Sequence, residues 1–112
     1  MKGPNIIFML ADDLGWKDVG FMGSEFYETP NIDKLSSEGA SFTNAYAACP
    51  VCSPTRSSIL TGLYPAETGV TNYIGGHEKG YLISAPYSDH ISHDEKTIAE
   101  ELRDNGYSTW HV

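Results

Sequence analysis

Residues 49–62 read Cys-Pro-Val-Cys-Ser-Pro-Thr-Arg-Ser-Ser-Ile-Leu-Thr-Gly, and both fold and chemistry follow outward from them. Cys52, Pro54 and Arg56 fall at alternate positions, spelling CxPxR. Pro54 has a fixed φ and biases Ser53 away from the helical region. That predicts a helix beginning at or after the proline, with Cys52 just ahead of it. Unpaired N–H groups and the positive end of such a helix suit an anion. Arg56, about one turn inside, adds a guanidinium able to fork onto oxygens. Ser57, Ser58, Ile59 and Leu60 continue the helix, and Gly62 ends it.

Other readings compete for the cysteines. A free cysteine is commonly a small buried hydrophobe. Cys49 with Cys52 spells CxxC, a dithiol or zinc pattern, and His90 with His93 would complete a Cys2His2 set. The interval to those histidines is far longer than the usual finger spacing, and Pro50 with Pro54 suits a capped loop better than a zinc knuckle.

Upstream, residues 5–10 carry the unbroken apolar run Ile6-Ile7-Phe8-Met9-Leu10, as expected of a parallel strand buried on both faces. Asp12 and Asp13 follow at its carboxyl end, where open α/β sheets bind ligands. Adjacent carboxylates repel unless a cation lies between them, and hard oxygen donors favour Ca²⁺ or Mg²⁺ over zinc. The competing reading is a solvated Asp-Asp-Leu-Gly turn.

Residues 16–27 read as glycine-punctuated loop. Thr29 is expected to cap a helix with Pro30 in its first turn, Ile32 and Leu35 on the sheet-facing side, and Gly39 as its stop. Residues 40–47 read as a second strand leading to Cys52. Parallel pairing with the first strand would deliver Cys52 to the edge that carries Asp12 and Asp13. Residues 63–92 show no periodicity and are expected to border a substrate cleft, with His77, Glu78 and Lys79 as contacts, or to form a solvated surface insertion. Residues 94–105 read as the last helix, closed by Gly106, and residues 107–112 as a returning strand.

Seven basic against fifteen acidic residues give a net charge of −8, which argues against a nucleic-acid partner. No apolar run reaches the roughly 18 residues of a membrane span. The N-terminal apolar run stops at Asp12, too soon and too polar-ended for a signal peptide. A chain that stops inside an expected strand reads as the N-terminal piece of a longer protein.

The CxPxR run with its closing Leu-Thr-Gly, the Asp12-Asp13 pair, and Gly106-Tyr107-x-Thr109 after the last helix resemble the type I sulfatases. These are the formylglycine-dependent, arylsulfatase-like enzymes of the alkaline-phosphatase-like superfamily. The resemblance implies a partial α/β fold, mostly parallel sheet flanked by helices, with residues 1–112 as the incomplete N-terminal part of a catalytic domain. It implies sulfate-ester hydrolysis: Cys52 oxidised to Cα-formylglycine by a separate generating enzyme, Arg56 holding the hydrated aldehyde, and Asp12, Asp13 and residue 52 as ligands of Ca²⁺, with Mg²⁺ second. The partners implied are that modifying enzyme and a sulfated small molecule or glycan. Full-length members are expected in the periplasm or secreted, with the cytoplasm as the other compartment. The family's remaining acid, amide, lysine and histidine site residues come from downstream, so the 112 residues alone are expected to be inactive. His111 is expected to be a sheet residue rather than their stand-in. The alternatives are a phosphonate or phosphodiester hydrolase of the same superfamily, and a non-catalytic piece or Cys/His metal-binding module.

Overall fold

The structure, a computed structural model, describes residues 3–76 and 80–112. His77, Glu78 and Lys79 lie outside the described residues. The chain divides into two compact units, one ending at Ala45 and one beginning at Tyr46.

In the first unit, Gly20–Met22 forms a 3-10 turn and Pro30–Glu38 forms helix α1, and the two pack together. Pro30 occupies the first turn, where its missing N–H costs nothing, and Gly39 follows the last residue. Thr29 precedes the helix but makes no side-chain cap bond to it. Its hydroxyl works across the unit instead, accepting from Gly20 N–H at 2.8 Å and donating to Asp33 Oδ1 at 2.9 Å. Asp33 also accepts from Phe21 N–H at 2.9 Å, so one carboxylate ties the turn to α1. Val19 beside the turn is buried, whereas Ile32 and Leu35 are 45% and 57% exposed rather than packed on a sheet.

In the second unit, helices α2 (Cys52–Thr61), α3 (Pro65–Thr68) and α4 (Ile98–Asp104) follow one another, and α2 packs against both others. Gly62 closes α2 at φ 75°, a left-handed turn that glycine adopts without a Cβ clash. Its N–H donates to Ser58 O at 2.8 Å. The short α3 was not legible in the sequence, although its signals are present. Pro65 opens it, the Glu67 carboxylate accepts Tyr64 N–H at 2.8 Å, and Gly69 ends it at φ 74°. Helix α4 begins at Ile98, later than the expected position 94, because Thr97 is the cap. Its hydroxyl accepts from Glu100 N–H at 3.3 Å, and the Glu100 carboxylate accepts Thr97 N–H at 2.9 Å. Residues before a closed capping box cannot continue the helix backwards. Val70 and Pro54 are fully buried at the centre of this unit.

Among the described residues no β-strand is formed. The three runs expected as strands, 5–10, 40–47 and 107–112, lie in irregular backbone with their apolar side chains uncovered. Ile7 is 84% exposed, Phe42 83% and Trp110 91%. A strand exists only through a hydrogen-bonded neighbour, and these runs have none among the described residues. The sheet expectation therefore finds no ladder here.

Candidate active site

The start of α2 is assembled by hydroxyl groups. Cys52 is the first helical residue and Val51 the N-cap, so the helix begins two residues before the expected limit at Pro54. The first N–H groups of any helix lack intrahelical acceptors, so a proline inside the first turn breaks no bond. Pro54 is buried and anchors that turn by packing. One residue on, Thr55 Oγ1 shares its proton between Cys49 O at 2.7 Å and Val51 O at 3.0 Å. Two carbonyls of the entering loop are thereby fixed on the helix. Ser53 Oγ accepts Ile74 N–H at 3.0 Å, linking the same turn to a segment 21 residues away.

Cys52 is exposed and Cys49 half-buried, and both are free thiols. Cys52 Sγ lies 3.9 Å from Ser53 Oγ. Val51 supplies no side-chain cap, and no acidic residue stands in the first turn. No side chain of its own first turn therefore neutralises the positive end of α2. Arg56, also exposed, follows Cys52 by four positions, the spacing that puts two helical side chains on one face. Deeper along α2, the hydroxyls of Ser57 and Ser58 are buried.

Asp12 and Asp13 are exposed in the unit ending at Ala45. Asp13 has φ 54°, a left-handed conformation that aspartate tolerates better than most side chains. Two carboxylates suit a hard cation by donor type, but a Ca²⁺ shell takes about six to eight oxygens. Among the described residues no three His, Cys, Asp or Glu side chains gather as a metal cluster. The two aspartates are thus an incomplete donor set. Cys49, Cys52, His90 and His93 are all described and do not gather as a Cys2His2 group. His90 instead pairs with Asp89, Nδ1 to Oδ1 at 2.7 Å.

A family model described as Sulfatase matches residues 4–112. The chain belongs to the sulfatase family. This sulfatase-family chain is 40% identical over 114 residues to the steryl-sulfatase of Homo sapiens, an alignment covering 97% of the chain and 19% of that protein. It is 41% identical over 114 residues to arylsulfatase G of Mus musculus, covering 97% and 20%. With the N-acetylgalactosamine-6-sulfatase of Sus scrofa it shares 39% identity over 116 residues, covering 97% and 22%. The crystal structure of Ps i-CgsB follows the same backbone course with a TM-score of 0.78 and 41% identity, over 95% of this chain and 22% of that one. That likeness shows the chain sharing the backbone course of one part of that structure. The sulfatase-family chain spans about a fifth of the length of these relatives.

Ser53 and Thr55, the two variable positions inside CxPxR, were passed over in the sequence, yet their hydroxyls hold the loop and the helix together. The available signal was their position: serine and threonine at helix starts bond to nearby backbone.

Proposed function

We propose that the whole protein hydrolyses sulfate esters, using residue 52 as nucleophile after its oxidation from cysteine to Cα-formylglycine by a separate modifying enzyme. The observation that carries this reading is an exposed Cys52 at the first position of an acid-free helix start, with Arg56 four residues on, in a sulfatase-family chain.

A hydrated aldehyde at this carbon supplies two hydroxyl groups, one to attack sulfur and a second to expel sulfate afterwards, which serine cannot do. The chain's own part is positioning. The α2 N–H groups and dipole favour the sulfate oxygens, and Arg56 binds the charge that grows on residue 52 and on the ester. Thr55 and Ser53 keep residue 52 at the mouth of the helix while those charges shift. Asp12 and Asp13 would offer a bound Ca²⁺ two hard oxygen ligands of its shell.

The uncovered apolar run at 5–10 suits a strand covered on both faces, which supports a mostly parallel sheet in the whole protein, with 40–47 and 107–112 as further strands. Residues 1–112 are then the N-terminal part of its catalytic domain. The substrate is a sulfated small molecule or glycan. Turnover of an aryl sulfate and an aryl phosphodiester by the whole protein tests the assignment. Faster hydrolysis of the sulfate supports it, and preference for the phosphodiester moves the protein to the phosphonate and phosphodiester branch.

A further inference from the structure

The hydroxyl of Ser53 brings a second segment to the residue-52 helix start. It accepts Ile74 N–H at 3.0 Å and lies 3.9 Å from Cys52 Sγ, so two short steps join the sulfur to the backbone at position 74. Position 74 belongs to a reverse turn, closed by Gly76 N–H to Tyr73 O at 3.1 Å and passing through Gly75 at φ 91°. The turn is held on its other side too. Tyr87 Oη donates to Gly76 O at 3.2 Å, and Tyr73 N–H donates to Asn72 Oδ1 at 2.9 Å.

The ring of Tyr73 is fixed by a missing side chain. A Cβ at Gly76 would meet Tyr73 Cε1 at 2.5 Å, so the tyrosine ring fills the space that any residue other than glycine would occupy. Gly76 is buried beneath it, while Tyr73 and Ile74 remain 46% and 49% exposed. Tyr73 and the sec-butyl side chain of Ile74 thus stand half-exposed on a braced turn whose backbone is bonded to Ser53, the residue after Cys52. Nothing in the chemistry of sulfate release uses them.

The geometry points to the turn at residues 73–76 as the wall that receives the leaving group of the ester, with Tyr73 stacking on an apolar ring and Ser53 as the positioning residue that pins the turn beside residue 52. This rests on the sulfatase reading above. The sulfate end is bound at α2 and Arg56, and the ring end on the turn, so the two halves of the substrate are read by different residues. Stacking of this kind contributes binding without changing the reacting atoms, so it acts on KM more than on kcat.

The test uses the whole protein, with 2-naphthyl sulfate as the ring-bearing substrate and inorganic sulfate as a competitive inhibitor that has no ring. Tyr73→Ala should raise KM for 2-naphthyl sulfate about tenfold while kcat and the Ki of sulfate stay within twofold. Ser53→Ala should shift KM in the same direction, and Ser53→Thr, which keeps the hydroxyl, should restore it. Unchanged KM in both alanine variants overturns the proposal, as does a Ki for sulfate that rises in step with KM. Intact mass separates the two levels of failure. If residue 52 is converted and the wild type is active but the variants behave as wild type, only the turn's role falls. If residue 52 is an unmodified thiol and neither wild type nor variants hydrolyse the ester, the sulfatase reading falls and the turn's role with it.

Discussion

Thr55 donates its hydroxyl proton to the carbonyl oxygen of Cys49 at 2.7 Å, six positions back along the chain and across the site of Cys52. The same hydroxyl reaches Val51 O at 3.0 Å, so the loop before Cys52 cannot swing without breaking a bond to the helix that follows. An intramolecular hydrogen bond of this type contributes about 1 kcal/mol. Thr55→Val, which keeps the shape and removes the donor, should speed amide hydrogen exchange in the first turns of α2 about fivefold. Thr55→Ser should return exchange to the wild-type rate, and equal rates in all three proteins would mean the clamp holds nothing.

In the proposed mechanism Arg56 binds the sulfate through planarity as well as charge. Arg56→Lys keeps the charge and loses the fork, and should lower kcat/KM for an aryl sulfate about a hundredfold in the whole protein. Activity within a few-fold of wild type would show that Arg56 acts at a distance, as a charge alone.

Helix α4 carries its own pH dependence. Glu100 accepts Thr97 N–H and Oγ1–H at 2.9 and 2.8 Å, and these bonds hold its carboxyl below the ordinary value of 4.5. Lys96, 2.7 Å from Glu101 and 2.9 Å from Asp104, lowers both of those groups by hydrogen bonding and charge. A carboxyl depressed in the folded state adds stability that is present above its unfolded pKa and disappears as pH falls through the folded one. Backbone chemical shifts of residues 98–104 should therefore report a loss of helix on acidification below about pH 4, and not on raising the pH from there to neutrality. Thr97→Ala removes a cap worth about 1 kcal/mol and should produce the frayed shifts already at neutral pH. Unchanged shifts in that variant would contradict the capping role of Thr97.

Local signals were read well where one residue decides the outcome. Gly62 ending α2 and Gly106 following α4, both at positive φ, and Pro30 opening α1 each follow from a backbone preference of that residue. Boundaries set by side-chain competition were read less well. Thr29 bonds to Gly20 and Asp33 instead of capping α1, and the Thr97 box starts α4 later than its acidic lead-in suggests. The sheet could not be read from apolar runs alone, because Ile6 to Leu10 specify a surface to be covered and not the strand that covers it. At the site, Cys52 and Arg56 stand out in the sequence through the CxPxR run, and their roles belong to the proposal. Ser53 and Thr55 do not stand out, because their roles depend on what the folded loop places opposite them.

The central claim, that residue 52 acts as an aldehyde nucleophile on sulfate esters, is tested most directly by combining intact mass with turnover. The whole protein is produced alongside a formylglycine-generating enzyme, the peptide bearing residue 52 is weighed, and hydrolysis of an aryl sulfate is followed on the same sample. A peptide lighter than the thiol form, with turnover proportional to the converted fraction and absent in Cys52→Ala, is the predicted result. Full turnover from a protein whose residue 52 remains a thiol, or steady turnover by Cys52→Ser, would contradict it.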